Sequence, residues 1–185
     1  MRLTILSTVL FAGTALTAVS AQAAGELNLI CSADVVICEQ MQGDFEKSHD
    51  IKVNMVRLSS GETYAKVRAE SRNPKTDLWW AGTGDPHMQA ASENLTLEYK
   101  SPMLDQLQDW AKKQAESSGF KTVGVYAGAL GWGYNTEIFK SKGYKEPVCW
   151  ADLLAPELKG EIQIANPNSS GTAYTAMASL VQIMG

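Results

Sequence analysis

The chain has 185 residues, with 16 basic and 20 acidic side chains and a formal net charge of −4. This acidic balance argues against a nucleic-acid partner, because such proteins need a basic face to neutralise phosphates. The length is sufficient for a domain with a real hydrophobic core.

Residues 1–23 have the pattern of a secretory signal peptide. Arg2 precedes an uncharged run of apolar and small residues over 3–20, and Ala21-Gln22-Ala23 forms an A-x-A cleavage pattern. The run is close to the shortest length that spans a bilayer, so a membrane anchor is the alternative. Its Thr, Ser, Ala and Gly content favours cleavage after Ala23, and we therefore expect an exported protein.

Strands and helices alternate through the next segment. Period-two and period-3.6 patterns predict strands at 27–31, 51–58 and 77–81 and helices at 35–47, from the 59–62 loop to about 70, and from 85 to about 93. In the first helix, Val35, Cys38, Met41 and Phe45 are spaced to share one buried face. Alternation of this kind predicts a mostly parallel sheet with helices on both faces.

Helix starts and loops carry further signals. Asp85 before Pro86 predicts an N-cap followed by a first-turn proline. Ser59 and Glu62 form an S-x-x-E capping box, so Glu62 either caps the helix or contacts a ligand. Asp34 is expected to cap the first helix, and the alternative is that its carboxylate binds a metal ion. One of the two tryptophans at 79–80 is expected in the core, and His87 is expected to make an orienting polar contact.

The residue composition of the chain changes after a predicted polar helix at about 104–116. A glycine-rich apolar segment at 121–135 is predicted to be a strand that leaves the first domain. A short helix near 151–154, a strand at 161–165, a polar loop at 166–172 and a helix at 172–184 follow. This pattern divides the chain into a signal peptide (1–23), a first α/β lobe (24–124), and a hinge strand with an incomplete second lobe (125–185). We expect the polypeptide to be a fragment of a longer one.

Three cysteines fall in the exported part. Cys31 and Cys38 could form a disulfide between a strand end and the next helix, which an oxidising compartment permits. Their spacing matches no zinc pattern. Cys149 could pair with a further cysteine or stay buried and free, so the disulfide pairing remains open.

Four stretches together resemble a known family: LWWAGTGDPHMQAA (78–91), VYAGALGWGYNTEIF (125–139), CWADLLAPELKGEIQIANPNSSGTAY (149–174) and SLVQIMG (179–185). They resemble the type II periplasmic solute-binding proteins of ABC importers, in the ferric-iron (Fe3+) branch, and look closest to its hexose-phosphate-binding members. The resemblance implies two doubly wound α/β lobes joined by a hinge near 123–130, with the second lobe truncated here. It also implies a periplasmic monomer that delivers a small anionic ligand to a membrane ABC permease.

The resemblance places the ligand between strand-end loops of the two lobes. Matched residue by residue, it gives as ligand-binding candidates Ser32, Ser59, Ser60, Gly61, Thr83, Gly84, Ser169, Ser170, Gly171 and Thr172. The acidic residues Glu62 and Asp85, which lie beside these loops, are further candidates. No resident metal or cofactor is expected. The alternative is Fe3+ as the transported ligand, with Glu62 as a metal ligand. Ferric members also use a His near strand one, which this chain lacks, and an adjacent tyrosine pair that would lie beyond Gly185.

The sequence favours a binding protein over an enzyme. It contains no G-x-S-x-G elbow, no H-E-x-x-H and no G-x-x-x-x-G-K-[ST] motif. A thiol-redox role for Cys31 and Cys38 would require a C-x-x-C spacing, which is missing. We therefore expect capture of a ligand without turnover. The resemblance and the neutral donors of the strand-end loops favour a sugar phosphate as that ligand.

Overall fold

The computed structural model describes residues 25–185, so the predicted signal peptide lies outside the described residues. Within them, no helix combines the length and the apolar character that crossing a membrane requires.

Three parallel strands form the sheet at the centre of the first segment. β1 (Glu26–Cys31) lies between β2 (Lys52–Arg57) and β3 (Leu78–Trp80), and its pairing sets Glu26 opposite Lys52 and Leu29 opposite Leu78. Three consecutive residues of β1, 29–31, are buried. A continuous buried run is typical of a parallel strand covered on both faces. The predicted parallel sheet with interleaved helices is therefore confirmed.

Six α-helices are described. They are α1 (Val35–His49), α2 (Ser60–Ala69), α3 (Gly84–Ser92), α4 (Asp109–Ser117), α5 (Thr136–Lys142) and α6 (Gly171–Met184). Short 3-10 turns occupy Leu104–Gln106, Trp150–Leu154 and Pro156–Leu158. The predicted helices at 35–47, 59–70 and 172–184 are confirmed to within two residues. The helix predicted over 104–116 is split into a 3-10 turn and α4.

The start of α3 differs from the prediction. Its N-cap is Thr83 and Asp85 lies in its first turn, so the predicted N-cap role of Asp85 is wrong. Ala81 and Gly82 both adopt positive φ, at 67° and 97°, and turn the chain into the helix earlier than expected. Pro86 still fits, because the first-turn N–H groups of a helix have no intrahelical partner to lose.

The buried face of α1 was also predicted wrongly. Only Cys38 of the expected set is buried, whereas Val35, Met41 and Phe45 are exposed. The helix instead turns polar side chains toward the outer strand β2: Glu46 Oε1 accepts from the Val53 amide at 2.7 Å, and Gln42 Nε2 donates to the Val53 carbonyl at 2.9 Å. An edge strand has backbone groups that need such partners, which a hydrophobic pattern does not reveal.

Two predicted strands, at 121–135 and 161–165, are not strands in the described part of the chain. A strand is defined by a hydrogen-bonded neighbour, and these segments have none among residues 25–185. The first of them packs on α4 instead: a Cβ added to Gly124 would lie 2.3 Å from the Trp110 ring. The division into lobes at residue 124 stays a prediction.

The open question about the cysteines has an answer. Cys31 and Cys38 form a disulfide with a Cα–Cα distance of 6.0 Å. Cys149 has no disulfide partner among residues 25–185 and is exposed rather than buried; its pairing with a further cysteine stays a prediction. The disulfide joins the end of β1 to α1 and so closes a short loop that begins with Ser32.

Candidate functional site

Three helix N-termini meet beyond the carboxyl ends of the parallel strands. The Thr83 amide, at the start of α3, donates to Ser60 Oγ in the first turn of α2 at 3.1 Å. The Gly61 amide of α2 donates to the carbonyl oxygen of Ser169, just before α6, at 2.9 Å. These contacts bring the starts of α2, α3 and α6 to one place. Each start presents backbone N–H groups and the positive end of a helix dipole.

Two glycines allow this close approach. A Cβ added to Gly171 would lie 2.2 Å from Thr83 Oγ1 and 2.8 Å from Ser60 Oγ. A Cβ added to Gly61 would lie 2.2 Å from the Asn168 carbonyl oxygen. Any side chain at either position would therefore push α6 away from α2 and α3.

Ser32 is the centre of a hydrogen-bond chain below the helix starts. Its Oγ accepts from Trp79 Nε1 at 3.0 Å and lies 3.1 Å from Thr63 Oγ1. Because the Thr63 hydroxyl donates its own proton to the Ser59 carbonyl at 2.9 Å, the Ser32 hydroxyl is the donor in the Ser32–Thr63 bond. The network fixes Ser32 and leaves it acceptor capacity rather than a proton to offer a ligand.

Trp79 is held from its other side by His87. The two rings stack with centroids 3.8 Å apart and planes at 25°, and His87 Nε2 donates to the Ala81 carbonyl at 2.8 Å. Burial lowers the pKa of His87 below its usual value of 6.5, and the bond to Ala81 opposes this only in part. The predicted orienting contact of His87 is confirmed. The prediction of a core tryptophan is wrong, since Trp79 and Trp80 are both only half-buried.

Tyr126 fixes the strained turn between β3 and α3. Its hydroxyl accepts from the Gly82 amide at 3.1 Å and lies 3.2 Å from the Gly82 carbonyl, to which it donates. Gly82 has no room for a side chain here, because a Cβ would lie 2.5 Å from Ser60 Oγ. The glycine-rich segment thus contacts the site through a tyrosine that sequence reasoning did not select.

The acidic candidates have different surroundings. Glu62 Oε2 accepts from the Ser59 amide at 3.0 Å and from the Ser59 hydroxyl at 2.6 Å. The hydroxyl bond is the main reason why the pKa of Glu62 lies below its usual value. The capping role of Glu62 is therefore confirmed. Asp34 occupies the N-cap position of α1 as predicted, although its side chain does not bond the helix.

Two adjoining cavities lie among these elements. The smaller one is about 100 Å³ and is lined by Ser32, Arg57, Ser59, Ser60, Gly82, Thr83, Tyr126, Ser170, Gly171 and Thr172. The larger one is about 430 Å³ and is lined by Ser32, Ala33, Asp34, Ile37, Arg57, Trp80, Val125, Tyr126 and Thr172. Four residues line both: Ser32, Arg57, Tyr126 and Thr172. We call the first the small compartment and the second the large compartment.

Seven of the twelve candidates line the small compartment: Ser32, Ser59, Ser60, Thr83, Ser170, Gly171 and Thr172. The other five, which are Gly61, Glu62, Gly84, Asp85 and Ser169, line neither compartment. Sequence reasoning missed Arg57 and Tyr126. Arg57 had a usable signal, since it is the last residue of β2 and so lies at the carboxyl end of a parallel strand.

Thr83 shares one feature with Thr96, which lines neither compartment. Its Oγ1 is buried and has no hydrogen-bond partner in the described part of the chain. Leaving a buried hydroxyl unpaired costs about 1–3 kcal/mol, so such a group calls for an explanation. The start of α6 covers Thr83 Oγ1, since a Cβ added to Gly171 would lie 2.2 Å from it.

The described residues also bear on metal binding. Across residues 25–185, no three His, Cys, Asp or Glu side chains come together in an arrangement able to hold a metal ion. Glu62, the carboxylate of the ferric alternative, is already engaged by Ser59.

Comparisons with known proteins give consistent matches. A family model described as bacterial extracellular solute-binding protein matches residues 73–185. An uncharacterised protein of Haemophilus influenzae is 44% identical over 184 residues, which is 99% of this chain and 53% of that protein.

Two solved structures are similar to this chain. The periplasmic binding protein AfuA from Actinobacillus pleuropneumoniae, solved with exogenous fructose-6-phosphate bound, has a TM-score of 0.82 and 45% identity over 86% of this chain and 50% of its own. The periplasmic binding protein P5PA has a TM-score of 0.83 and 38% identity over 87% and 51%. The chain thus spans about half the length of the relatives it matches. These likenesses confirm the predicted α/β fold class.

Proposed function

The chain belongs to the family of bacterial extracellular solute-binding proteins, and from this premise we propose that the full-length protein captures a sugar phosphate in the two compartments. The predicted resemblance to the ferric-type branch with hexose-phosphate-binding members is confirmed by the family match and by the likeness to AfuA. Beyond the family, we propose which ligand the protein binds, where in the cleft the ligand lies, and that the protein delivers it to an importer.

The observation that carries the proposal is the convergence of α2, α3 and α6 on the small compartment. Three helix N-termini in one place favour an anion, because their dipoles put positive partial charge there, although the Gly61 and Thr83 amides already donate to Ser169 and Ser60. Small hydroxyl side chains make up most of the lining and suit phosphate oxygens, although the Ser32 and Ser59 hydroxyls already donate to Thr63 and Glu62. The buried Thr83 Oγ1, which has no partner in the described residues, supplies a further donor for such an oxygen.

The large compartment suits the carbon part of the ligand. Trp80 and Tyr126 offer aromatic surface, Asp34 offers a carboxylate that accepts from sugar hydroxyls, and Ile37 and Val125 offer apolar contact. The mixture of aromatic surface and a few polar groups is typical of small-molecule sites. A sugar phosphate with its phosphate in the small compartment and its sugar in the large one would contact the four residues that line both compartments.

The wider role follows from the family. We propose that the protein is exported to the periplasm, binds its ligand as a monomer without converting it, and delivers it to a membrane ABC permease. AfuA, solved with fructose-6-phosphate, makes a hexose phosphate the first ligand to test. The alternative ligand, ferric ion, would need anionic oxygens beyond Glu62.

The experiment is calorimetry on the full-length protein with fructose 6-phosphate, fructose and ferric citrate. We expect fructose 6-phosphate to bind and to be recovered unchanged, with fructose much weaker. Tight binding of ferric ion with no response to sugar phosphates would establish the ferric alternative. Recovery of a dephosphorylated sugar would establish an enzyme.

A further inference from the structure

We propose that Arg57 makes the cleft selective for a phosphate ester over the corresponding neutral sugar. This inference rests on the proposed function, and it assigns the charge selectivity of the site to a single side chain.

Arg57 lies where the two compartments meet. It is the last residue of β2, and it lines both the small and the large compartment. The carboxyl end of a parallel strand is where ligands of such sheets bind. A charge at this junction faces the bond between a phosphate and a sugar if the ester spans both compartments.

The guanidinium is oriented by the backbone. Arg57 Nε donates to the Ala33 carbonyl at 3.1 Å, in the loop that the Cys31–Cys38 disulfide closes. Arginine has five N–H donors in a rigid fork, so this bond uses one of them and fixes the plane of the rest. Among residues 25–185, Arg57 forms no salt bridge, although its charge contributes to the lowered pKa of Glu62. Arg68 on α2, by contrast, pairs with Glu93 at 3.6 Å.

Arg57 is also the sole cationic side chain among the residues lining the two compartments, and Asp34 is the sole anionic one. Helix N-termini and hydroxyl groups offer partial charges and neutral donors, which also suit sugar hydroxyls. A full positive charge with a fork that matches phosphate oxygens favours a phosphate group specifically. The neutral donors therefore shape the small compartment, and Arg57 supplies the selectivity for charge.

The test compares variants of the full-length protein by calorimetry with fructose 6-phosphate. Arg57→Gln removes the charge, and Arg57→Lys keeps the charge without the fork. Arg68→Gln is the matched control, because it removes one positive charge from α2 outside both compartments. Each titration is run at low and at high salt, and the unliganded melting temperature of each variant reports its folding.

We expect Arg57→Gln to weaken fructose 6-phosphate binding about tenfold to hundredfold, the usual effect of losing hydrogen bonds to a charged group. We expect its remaining affinity to depend less on salt than that of the wild type, because the screened ion pair is gone. The affinity of Arg57→Lys should lie between the affinities of Arg57→Gln and the wild type. The affinity of Arg68→Gln should match that of the wild type. A purely structural role for Arg57 would lower the melting temperature but leave the salt dependence of binding unchanged.

An Arg57→Gln affinity within twofold of the wild type, with the same salt dependence, overturns this inference while the proposed function stands. Failure of the wild type to bind any sugar phosphate overturns both. If Arg57→Gln does not fold, Arg57→Lys decides: wild-type affinity there contradicts a role for the guanidinium fork, and a reduced affinity with retained salt dependence supports it.

Discussion

The amide of Gly61 donates to the carbonyl oxygen of Ser169 at 2.9 Å, and this bond joins the first turn of α2 to the loop before α6. The two residues are 108 positions apart in the sequence, 169 minus 61. Their contact lies between the two segments that the sequence predicts to belong to different lobes. It therefore marks the place where those segments approach each other around the small compartment.

Gly61→Ala should separate these segments. The new Cβ would lie 2.2 Å from the Asn168 carbonyl oxygen, and a backbone atom cannot move aside as a flexible side chain can. We expect the affinity for fructose 6-phosphate to fall at least about tenfold. Moving the start of α6 away from the ligand would remove at least one hydrogen bond to the charged phosphate, and a single such loss already has that effect. Calorimetry on the full-length protein measures the change.

Gly43→Ala is the matched control for that substitution. Gly43 lies within α1, and a Cβ there meets no atom within 4 Å. Alanine in a helix interior is more favourable than glycine by about 0.5–1 kcal/mol, so this variant should melt slightly higher and bind as the wild type does. An unchanged affinity of Gly61→Ala would show that the close contact is not needed for binding.

Thr83→Val should have opposite effects on stability and on binding. The substitution keeps the shape of the side chain but removes the buried Oγ1, which has no partner in the described residues. We expect the free energy of unfolding of the unliganded protein to rise by about 1 kcal/mol, because an unsatisfied buried hydroxyl is costly. The affinity for fructose 6-phosphate should fall roughly tenfold, since the hydroxyl would bond a charged oxygen.

Chemical denaturation and calorimetry measure these two quantities, and Thr83→Ser, which keeps the hydroxyl, is the control. Lower stability together with unchanged binding would mean that the hydroxyl has a structural partner and no role toward the ligand.

His87 should make the stability of the protein depend on pH in a defined window. Burial lowers its pKa in the folded state below the ordinary 6.5, so the unfolded chain binds a proton more readily than the folded one. The stabilisation from neutral His87 is therefore complete above pH 6.5 and is lost as the pH falls below it. The carboxyl groups whose pKa values are lowered, such as Glu62 and Glu70, titrate at more acidic pH.

Thermal unfolding at pH 7.5 and pH 5.5 measures this effect. The wild type should lose more stability between the two pH values than His87→Gln does, and His49→Gln, at an exposed histidine, should follow the wild type. An equal loss in His87→Gln would show that other groups cause the pH dependence.

The parts of the fold that follow local rules were predictable from the sequence. Alternating patterns gave the three strands and the major helices of the first segment, and Ser59 with Glu62 gave the start of α2. The errors have tertiary causes. The exposed Met41 and Phe45 contradict the predicted face of α1, because Gln42 and Glu46 bond the backbone of an edge strand instead. The segments at 121–135 and 161–165 have strand-like sequences but no neighbouring strand among the described residues.

The candidate site was predictable to a similar degree. Strand-end loops rich in Ser, Thr and Gly identified most of the small compartment, since helix starts after parallel strands lie at one edge of a sheet. Arg57 and Tyr126 were missed because neither lies in such a loop. Arg57 and Tyr126 reach the compartments only because β2 and the 121–135 segment pack beside them. The contacts of Tyr126 with Gly82 illustrate this.

The most direct measurement is a crystal structure of the full-length protein with fructose 6-phosphate. We expect the phosphate to lie in the small compartment, with an oxygen bonded to Thr83 Oγ1 and with the first turns of α2, α3 and α6 around it. The sugar should lie in the large compartment beside Trp80. A phosphate bound outside the small compartment, or a ferric ion held by Glu62 in its place, would contradict the account.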